Sequence, residues 1–553
     1  MNRLAMSVLS FLAGCAAALP VHAQTGAAIP MFSFSGGITN GASPEGNLVL
    51  GSDGSFYGTT QGGGTTNNYG TVFKMTPEGA LTTLAIFMGT NGVNPLDGLT
   101  LAPDGNFYGT TEYGGANFGV QAISGGLGAG TVFRLTTNGL LTTLATFAVT
   151  NGQSPHAGLT WGPGGFLYGT TASGGPYGDG TIFSVTTSGA LTMLTNFNNA
   201  NGSAPTAGLT LGPDGNLYGV AQSGGSHSAG TVFKVTPGGL LTNVYHFGSR
   251  PADGASPQTT MTLGPDGNLY GATAFTSLSP VDVNGTIFKV TTNGTLTTLI
   301  NFDSYNGGNP VGSLILGPDG NFYGTTYFGD NGDNSNMGIV YNLTTNGAFT
   351  VLASFDGSNG AYPLSGLTLG PDNNFYGGTT GGGALGNGTV YKLGLSPIFV
   401  SEPAGQSVVI GNSATFSSQM FGTAPFAFQW SSNNVPATGA IGGSLNLPDV
   451  FYQANNAQIQ VVVTNTYGSA TSQVANLSVV LQPNCSAVLN LGGGNYTVVV
   501  GSYPSSLNHL WAATNLSSSW LQIAPITTDV NGMGHYLDTD SADPAKFYRL
   551  SYP

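Results

Sequence analysis

The sequence predicts an all-β protein: a seven-bladed β-propeller, followed by an immunoglobulin-like β-sandwich and a small C-terminal β module. An aromatic-Tyr-Gly or Leu-Tyr-Gly motif recurs seven times, about every fifty residues, which is the range expected for propeller blades. Runs rich in Val, Ile, Thr, Leu and aromatic residues alternate with Gly, Pro, Asn and Asp, a pattern typical of short strands and tight turns. The motif tyrosines are Tyr57, Tyr108, Tyr168, Tyr218, Tyr270, Tyr323 and Tyr376.

The N-terminus predicts export. Residues 1–23 combine Arg3, an apolar run and small residues before a cleavage point after Ala23, as in a secretory signal peptide. The stretch 12–15 (Leu-Ala-Gly-Cys) is also similar to a bacterial lipobox, so an outer-membrane lipoprotein with Cys15 lipidated is the second interpretation. The apolar run continues past Cys15, which favours the signal peptide and a secreted or cell-surface protein.

Charge narrows the possible partners. The chain carries 9 Lys and Arg against 23 Asp and Glu, a net charge of −14. Nucleic acid is excluded as a partner, because binding a polyanion requires clustered cations. After the signal peptide no apolar run is long enough to span a bilayer. We expect a monomer that binds an extracellular glycan or protein.

Each repeat divides into four predicted strands. One example of each, in order from the first strand to the fourth, is found at 208–216, 167–171, 230–236 and 141–147. Pro-Asp-Gly-Asn joins the first strand to the second, because Pro presets φ, Asp bonds its own backbone and Gly accepts positive φ. Thr-Thr-Asn-Gly joins the third strand to the fourth, and Asn-Gly is a strong hairpin signal.

The two ends of the repeat array complement each other. The last repeat leaves the pattern after residues 388–393, so its fourth strand is missing. Residues 31–44 precede the first full repeat and align with a fourth strand and its following loop, as at 81–95. Pairing these ends removes exposed sheet edges, which predicts a closed seven-bladed ring over residues 29–396.

The repeated phrases YGTT, GTVFKVT and LTTL resemble the bacterial GloVer tandem repeat, named for Gloeobacter and Verrucomicrobia. The resemblance covers about two thirds of the chain. It implies an exported protein, often with a C-terminal surface anchor. The C-terminal residues KFYRLSYP do not match a sorting signal, so the resemblance leaves the mode of anchoring open.

Two further modules follow the repeats. Residues 397–481 resemble an immunoglobulin-like sandwich built around Trp430, without a cysteine pair and with Ile459 where a corner tyrosine is expected. Residues 482–553 predict a small β module.

Candidate binding residues come from three patterns. Six inter-strand turns carry an aspartate, and five cations share one register after GTVF, GTIF or GTVY. Both are typical of turn chemistry and a solvated strand face, although a carboxylate ring could bind a cation and a cation ring an acidic glycan. The aspartates are Asp53, Asp104, Asp214, Asp266, Asp319 and Asp372, and the cations are Lys74, Arg134, Lys234, Lys289 and Lys392.

The link between the second and third strands varies most in length, and variable loops on a rigid scaffold often bind ligands. The long insert at 117–130 is therefore a candidate site, with Tyr113 and Phe118 as stacking platforms. Asp330 and Asp333 form a weak calcium candidate, because the D-x-D-x-D-G spacing is missing. No other cofactor is expected.

No catalytic residue can be assigned from the sequence. It contains neither H-E-x-x-H nor G-x-S-x-G, and the acids outside the turns cannot be paired. The leading hypothesis is therefore a non-enzymatic exported binding or adhesion protein. Two alternatives stay open: a polysaccharide lyase or hydrolase, which requires two facing carboxylates in a deep central site, and a structural cell-surface spacer.

Overall fold

The computed structural model describes the chain mainly as short antiparallel strands. The described residues are 26–121, 124–250, 253–276, 284–303, 306–329, 336–480, 484–492, 495–501, 507–513, 521–528, 533–538 and 547–551. Within them, helical structure is confined to three single 3₁₀ turns, at Ser124–Gly126, Pro163–Gly165 and Tyr452–Ala454. The prediction of an all-β protein is confirmed.

Residues 26–395 form seven antiparallel sheets. The first is β2 (Val49–Leu50), β3 (Phe56–Thr60), β4 (Thr71–Met75) and β5 (Leu81–Ile86). The second is β6 (Thr100–Leu101), β7 (Phe107–Thr111), β8 (Thr131–Leu135) and β9 (Leu141–Thr146). The third is β10 (Thr160–Gly162), β11 (Phe166–Thr171), β12 (Thr181–Val185) and β13 (Leu191–Asn196). The fourth is β14 (Thr210–Leu211), β15 (Leu217–Ala221), β16 (Thr231–Val235) and β17 (Leu241–His246).

The remaining three sheets follow the same plan with small additions. The fifth is β18 (Ala255–Pro257), β19 (Thr262–Leu263), β20 (Leu269–Phe275), β21 (Thr286–Val290) and β22 (Leu296–Asn301). The sixth is β23 (Ile315–Leu316), β24 (Phe322–Thr326), β25 (Ile339–Leu343) and β26 (Phe349–Ser354). The seventh is β27 (Thr368–Leu369), β28 (Phe375–Thr379), β29 (Thr389–Leu395) and the N-terminal strand β1 (Gly26–Ser33).

Strand β1 completes the seventh sheet. It runs antiparallel to β29, with Ile29 opposite Lys392. The predicted pairing of the two ends of the repeat array is confirmed, and the strand begins at Gly26. Because this pairing joins the start of the array to its end, the seventh sheet has the same four strands as the others.

The second strand of each sheet is buried because the sheets pack face to face. All five residues of β3 and of β7 are buried. Tyr57 of the first sheet stacks on Phe107 of the second, with 4.1 Å between ring centroids. The motif glycine is required on steric grounds: a Cβ at Gly58 would lie 2.5 Å from the ring of Phe73. These contacts explain the repeated aromatic-Tyr-Gly motif.

Each sheet hydrogen-bonds to the next, and the seventh bonds to the first. Thr Oγ1 atoms at the inner ends of the sheets donate to main-chain carbonyls of the following sheet. The Thr→carbonyl pairs are Thr59→Asp97, Thr110→Ala157, Thr170→Ala207, Thr210→Met261, Thr262→Leu314, Thr325→Ser365 and Thr368→Leu48. The first strands therefore lie next to one another around a common centre.

A second module follows the repeats. One sheet contains β31 (Gln406–Val409), β34 (Ala427–Ser432), β35 (Val435–Pro436), β37 (Ala457–Asn465), β38 (Gly468–Thr471) and β39 (Ala475–Val480). Two pairs complete it: β30 (Ile398–Ser401) with β33 (Gln419–Phe421), and β32 (Ala414–Ser417) with β36 (Ser444–Leu447). Trp430 is fully buried in its core, and its indole N–H donates to the carbonyl of Gly442 at 2.9 Å. Ile459 is fully buried there as well.

The second module is docked on the seventh sheet. Thr423 Oγ1 donates to Asn374 Oδ1 at 2.5 Å, and the ring of Phe421 packs edge to face on Phe375. Asn465 Nδ2 donates to the carbonyl of Leu395 at 2.7 Å.

The C-terminal region contains two three-stranded sheets. One is β40 (Asn484–Gly492), β41 (Asn495–Gly501) and β44 (Met533–Asp538), and the other is β42 (Leu507–Ala513), β43 (Leu521–Thr527) and β45 (Phe547–Ser551).

Candidate functional site

Seven loops of one design lead from the fourth strand of a sheet to the first strand of the next. We call them exit loops; each ends in a proline. The residue before the proline has φ between 52° and 59° in all seven, and its N–H donates to a carbonyl of the preceding repeat at 2.8–3.0 Å. These residues are Ser43, Asn94, Ser154, Ala204, Ser256, Asn309 and Tyr362. A left-handed residue before proline is sterically unfavourable, so the hydrogen bonds hold it in place.

The residue after each exit-loop proline points to the common centre. All seven of these residues line one cavity of about 190 Å³, here called the shared cavity. They are Glu45, Leu96, His156, Thr206, Gln258, Val311 and Leu364. A second cavity, of about 250 Å³, adjoins it along the first strands, because four residues line both. The four are Asn47, Asp97, Thr260 and Ser313.

A histidine–carboxylate pair stands at the wall of the shared cavity. His156 Nε2 lies 3.2 Å from Glu112 Oε1. The other oxygen of Glu112 accepts a 3.5 Å hydrogen bond from Asn94, and Tyr113 hydrogen-bonds to the same carboxylate. Burial alone would raise the pKa of Glu112, but these hydrogen bonds and the charge of His156 outweigh it and lower the pKa. Glu112 is therefore ionised at neutral pH.

Glu45 lines the same cavity and behaves in the opposite way. Burial, followed by the negative charge of Glu112, raises the pKa of Glu45 to about 7, and the charge of His156 offsets this only in part. Asp97 is partly buried, and this burial raises its pKa, although the N–H groups of Gly98 and Gly158 donate to it at 2.6 Å each. Glu45 in the cavity and Glu112 behind His156 are thus two neighbouring glutamates whose pKa values move in opposite directions.

Of the two predicted stacking residues, only one adjoins this cluster. Tyr113 is half-buried, exchanges two main-chain hydrogen bonds with Val93 at 2.9 and 3.0 Å, and holds Glu112. Burial and that carboxylate raise the pKa of Tyr113 to about 12. Phe118 instead packs edge to face on Tyr69, 5.8 Å between centroids, with its ring against Gly89.

Sequence reasoning did not find the shared cavity. From sequence, Glu45 and Glu112 are two of the acids outside the turns that cannot be paired, and no motif marks His156. The available signal was their register: Glu45 and His156 each follow an exit-loop proline, and Glu112 directly follows the second strand of its sheet. When the repeats are aligned, the residue after the exit-loop proline varies, whereas the loop residues on either side of it recur.

The turn aspartates and the strand cations belong to one arrangement, which we call the clamp. In six sheets the hydroxyl of the motif tyrosine donates to the turn aspartate at 2.7–3.0 Å. In four of them a lysine of the third strand lies 2.7–3.9 Å from the same carboxylate. In the third sheet Gly164 occupies the aspartate position, and Tyr168 donates to the carbonyl of Pro163 at 3.0 Å. In these four sheets the aspartate and the lysine, which the sequence presents as separate sets, neutralise each other.

The contacts described above do not involve the residues predicted for calcium binding or lipidation. Asp330, Asp333 and Cys15 lie outside the described residues. Within the part of the chain that the structure describes, no group of three or more His, Cys, Asp or Glu side chains is arranged to hold a metal ion. The same residues include no helix long and apolar enough to cross a membrane.

Comparisons place the repeats in a family. A family model described as the Gloeobacter/Verrucomicrobia repeat matches residues 19–123, 115–279 and 252–401. A comparison with curated proteins gave no match. Among solved structures, a candidate 6-phosphogluconolactonase from Bacteroides uniformis is 18% identical, covers 55% of this chain and 83% of its own, and has a TM-score of 0.38. The titin M3 domain is 24% identical over 15% of this chain and 96% of its own, with a TM-score of 0.14.

Proposed function

Because the chain belongs to the Gloeobacter/Verrucomicrobia repeat family, we propose that it is an exported protein that binds an extracellular glycan in the shared cavity. In this proposal the seven sheets are the blades of a propeller, and the sandwich around Trp430 is an immunoglobulin-like module. The cycle of contacts from each sheet to the next, closed between Thr368 and Leu48, supports the propeller. Residues 1–23 act as its signal peptide.

One observation carries the proposed binding site. At the position after the exit-loop proline, seven structurally equivalent residues face one cavity, and they comprise six residue types. Repetition elsewhere in the repeats follows from packing, whereas this position varies without disturbing the loop. A position whose surroundings are fixed and whose side chain is free to differ is suited to ligand recognition.

The polarity of the cavity supports a ligand rich in hydroxyl groups. The hydroxyl of Thr206 is buried and has no hydrogen-bond partner among the described residues. A buried polar atom is costly unless something bonds to it. Tyr327 and Tyr362 stack 5.0 Å apart, and the charge of Glu45 acts on Tyr327. Tyr113 and this pair are aromatic faces on which a sugar ring can stack.

The charge of the cavity supports a neutral glycan. Its described lining residues include carboxylates and one histidine but neither lysine nor arginine. An anionic sugar would meet Glu45 and Asp97 without a lysine or arginine to offset their charge. The shared cavity is also smaller than a typical drug-sized site of about 300 Å³ or more. It therefore fits about one sugar unit at a time.

Native gel electrophoresis of the mature protein in gels cast with laminarin, xyloglucan, galactomannan or soluble starch tests the proposal. We expect at least one neutral polysaccharide to retard the protein. His156→Ala should weaken that retardation about tenfold, because it removes a polar contact in the cavity. The matched control is His227→Ala, since His227 is exposed outside the cavity.

The remaining outcomes point elsewhere. Unchanged migration in every gel contradicts glycan binding and favours a protein partner or a structural spacer. Equal retardation of wild type and His156→Ala would show that the glycan binds outside the shared cavity.

A further inference from the structure

We propose that the shared cavity hydrolyses a neutral glycan, with Glu45 as proton donor and His156, held by Glu112, as proton acceptor. The inference rests on the ligand class of the proposed function and adds turnover to binding. It favours the hydrolase alternative over the non-enzymatic one. The hydrolase alternative calls for two facing carboxylates; here the cavity lining supplies one carboxylate, Glu45, and the second acid-base group is His156, whose Nε2 lies 3.2 Å from Glu112 behind it.

Glu45 is suited to donate a proton. It lines the cavity, and burial with the nearby charge of Glu112 raises its pKa to about 7. A large fraction of its carboxyl groups is therefore protonated at neutral pH, unlike an exposed glutamate. General acids work best when their pKa lies close to the working pH. The groups whose charge acts on Glu45 are Glu112 and His156, and Asp97 and Tyr327 lie nearby.

His156 is suited to accept a proton. Its Nε2 faces Glu112 Oε1 at 3.2 Å, so a hydrogen on Nε2 donates to the carboxylate and leaves a lone pair on Nδ1. Glu112 is in turn fixed by Tyr113 and Asn94. Glu112 is a positioning residue, because both of its oxygens already have partners within the protein. An acceptor oriented by a third group is the usual arrangement for activating a nucleophile.

The reaction balances without any co-reactant other than water. His156 takes a proton from water as the water oxygen bonds to the anomeric carbon. The bond from that carbon to the glycosidic oxygen breaks, and the departing oxygen takes the proton of Glu45. Solvent then returns a proton to Glu45 and removes one from His156. Because water attacks directly, the product has the inverted anomeric configuration.

Hydrolysis is favoured over lyase chemistry by the same lining. A lyase removes the proton beside a uronate carboxylate, and the charge that develops there needs a cation or an equivalent partner. The described residues of the two cavities include no lysine or arginine.

The test measures reducing ends released by the full mature chain from laminarin, xyloglucan, galactomannan and soluble starch. We expect release from at least one polysaccharide, about a 100-fold loss in Glu45→Gln and in His156→Ala, and no change in the exposed control Glu78→Gln. Product from the active polysaccharide should be the inverted anomer by proton NMR.

Two readouts separate catalysis from structural support. Wild-type activity should fall as pH rises through about 7, since Glu45 then loses its proton. Glu45→Gln should retain most activity on dinitrophenyl glycosides, because that leaving group needs no proton. Glu112→Gln should shift the acid limb of the pH profile, which a purely structural role would leave in place.

The outcomes distinguish this inference from the proposed function. Gel retardation without any reducing ends overturns hydrolysis and leaves glycan binding intact. Absence of both retardation and release overturns both. Release that Glu45→Gln does not reduce on any substrate overturns the assignment of the reaction to this cavity.

Discussion

The two ends of each sheet's first strand differ in what the repeats have in common. At the turn end, six sheets repeat the same tyrosine–aspartate hydrogen bond, and four add a lysine to it. At the exit-loop end, the loop backbone repeats, but the residue after proline comprises six types in seven sheets. One end repeats its side chains, and the other repeats only its backbone.

This difference separates stability from function. In five of the six clamps burial raises the pKa of the aspartate, but its hydrogen bonds, including the one from the tyrosine hydroxyl, outweigh burial and lower the pKa, so these clamps favour the folded state. Glu45, at the other end, is buried where burial raises its pKa, so its ionised form opposes folding. Residues that oppose folding persist at functional sites, where activity requires them. Substitutions at the two ends should therefore change stability in opposite directions.

The largest expected effect is stabilisation by Glu45→Gln at alkaline pH. The pKa of Glu45 rises from 4.5 to about 7 on folding, so its stabilising contribution is complete below about pH 4.5 and is lost as pH rises through about 7. Glutamine cannot ionise. The variant should match wild type at pH 4 and exceed it by up to about 3 kcal/mol in free energy of unfolding at pH 8, measured by urea denaturation.

The exposed control Glu78→Gln should match wild type at both pH values. Equal unfolding free energies for wild type and Glu45→Gln at pH 8 would show that Glu45 is not buried as described, and would also weaken its assignment as proton donor.

A smaller effect of opposite sign is expected at the turn end. Tyr270→Phe removes a 2.9 Å hydrogen bond to the charged Asp266 and should lower the free energy of unfolding by about 1–2 kcal/mol. Tyr168→Phe removes a bond to the neutral carbonyl of Pro163 and should cost about 0.5–1 kcal/mol. Glycan retardation should be unchanged in both. If the two losses are equal, the carboxylate adds nothing to the clamp.

The repeats could be predicted from the sequence because their signals are local. The segment 167–171 was predicted as a strand and lies in β11, and 230–236 contains β16, since turn residues and apolar runs mark both ends. The pairing of β1 with β29 was predicted because the last repeat lacks a fourth strand and an additional strand precedes the first repeat. Both features are visible in the sequence.

The candidate site was not predicted because it is not local. Glu45, Glu112 and His156 come from three successive repeats, and only the packing of neighbouring sheets brings Glu45 and His156 to one cavity and Glu112 against His156. The clamp was missed for a related reason. Tyr57 and Lys74 are direct cross-strand partners, so the turn aspartate beside Tyr57 lies next to Lys74, but the two residue types were examined as separate rings.

The smallest expected effect is a difference between two clamps, those of the fourth and the seventh sheet. In the fourth sheet Asn216 donates to Asp214 Oδ2 at 2.7 Å, and Lys234 stays 3.9 Å away. In the seventh sheet Asn374 instead accepts from Thr423 of the second module, and Lys392 approaches Asp372 to 2.7 Å. Docking of the second module thus engages the side-chain oxygen of Asn374, while the Asp372 carboxylate keeps its bonds from Lys392 and from the Tyr376 hydroxyl.

Lys392→Met should therefore lower the free energy of unfolding by about 0.5 kcal/mol, and Lys234→Met by less, because partly exposed ion pairs contribute little and the longer one contributes least. Urea denaturation in low salt measures the difference, and 1 M NaCl should remove most of it, since screening weakens exposed pairs. A larger loss for Lys234→Met would mean that the amide and the lysine support each other on the carboxylate. The clamps would then be cooperative units, and the clamp of the seventh sheet, in which the Asn374 amide donates to the main-chain carbonyl of Asp372, would be the weaker arrangement.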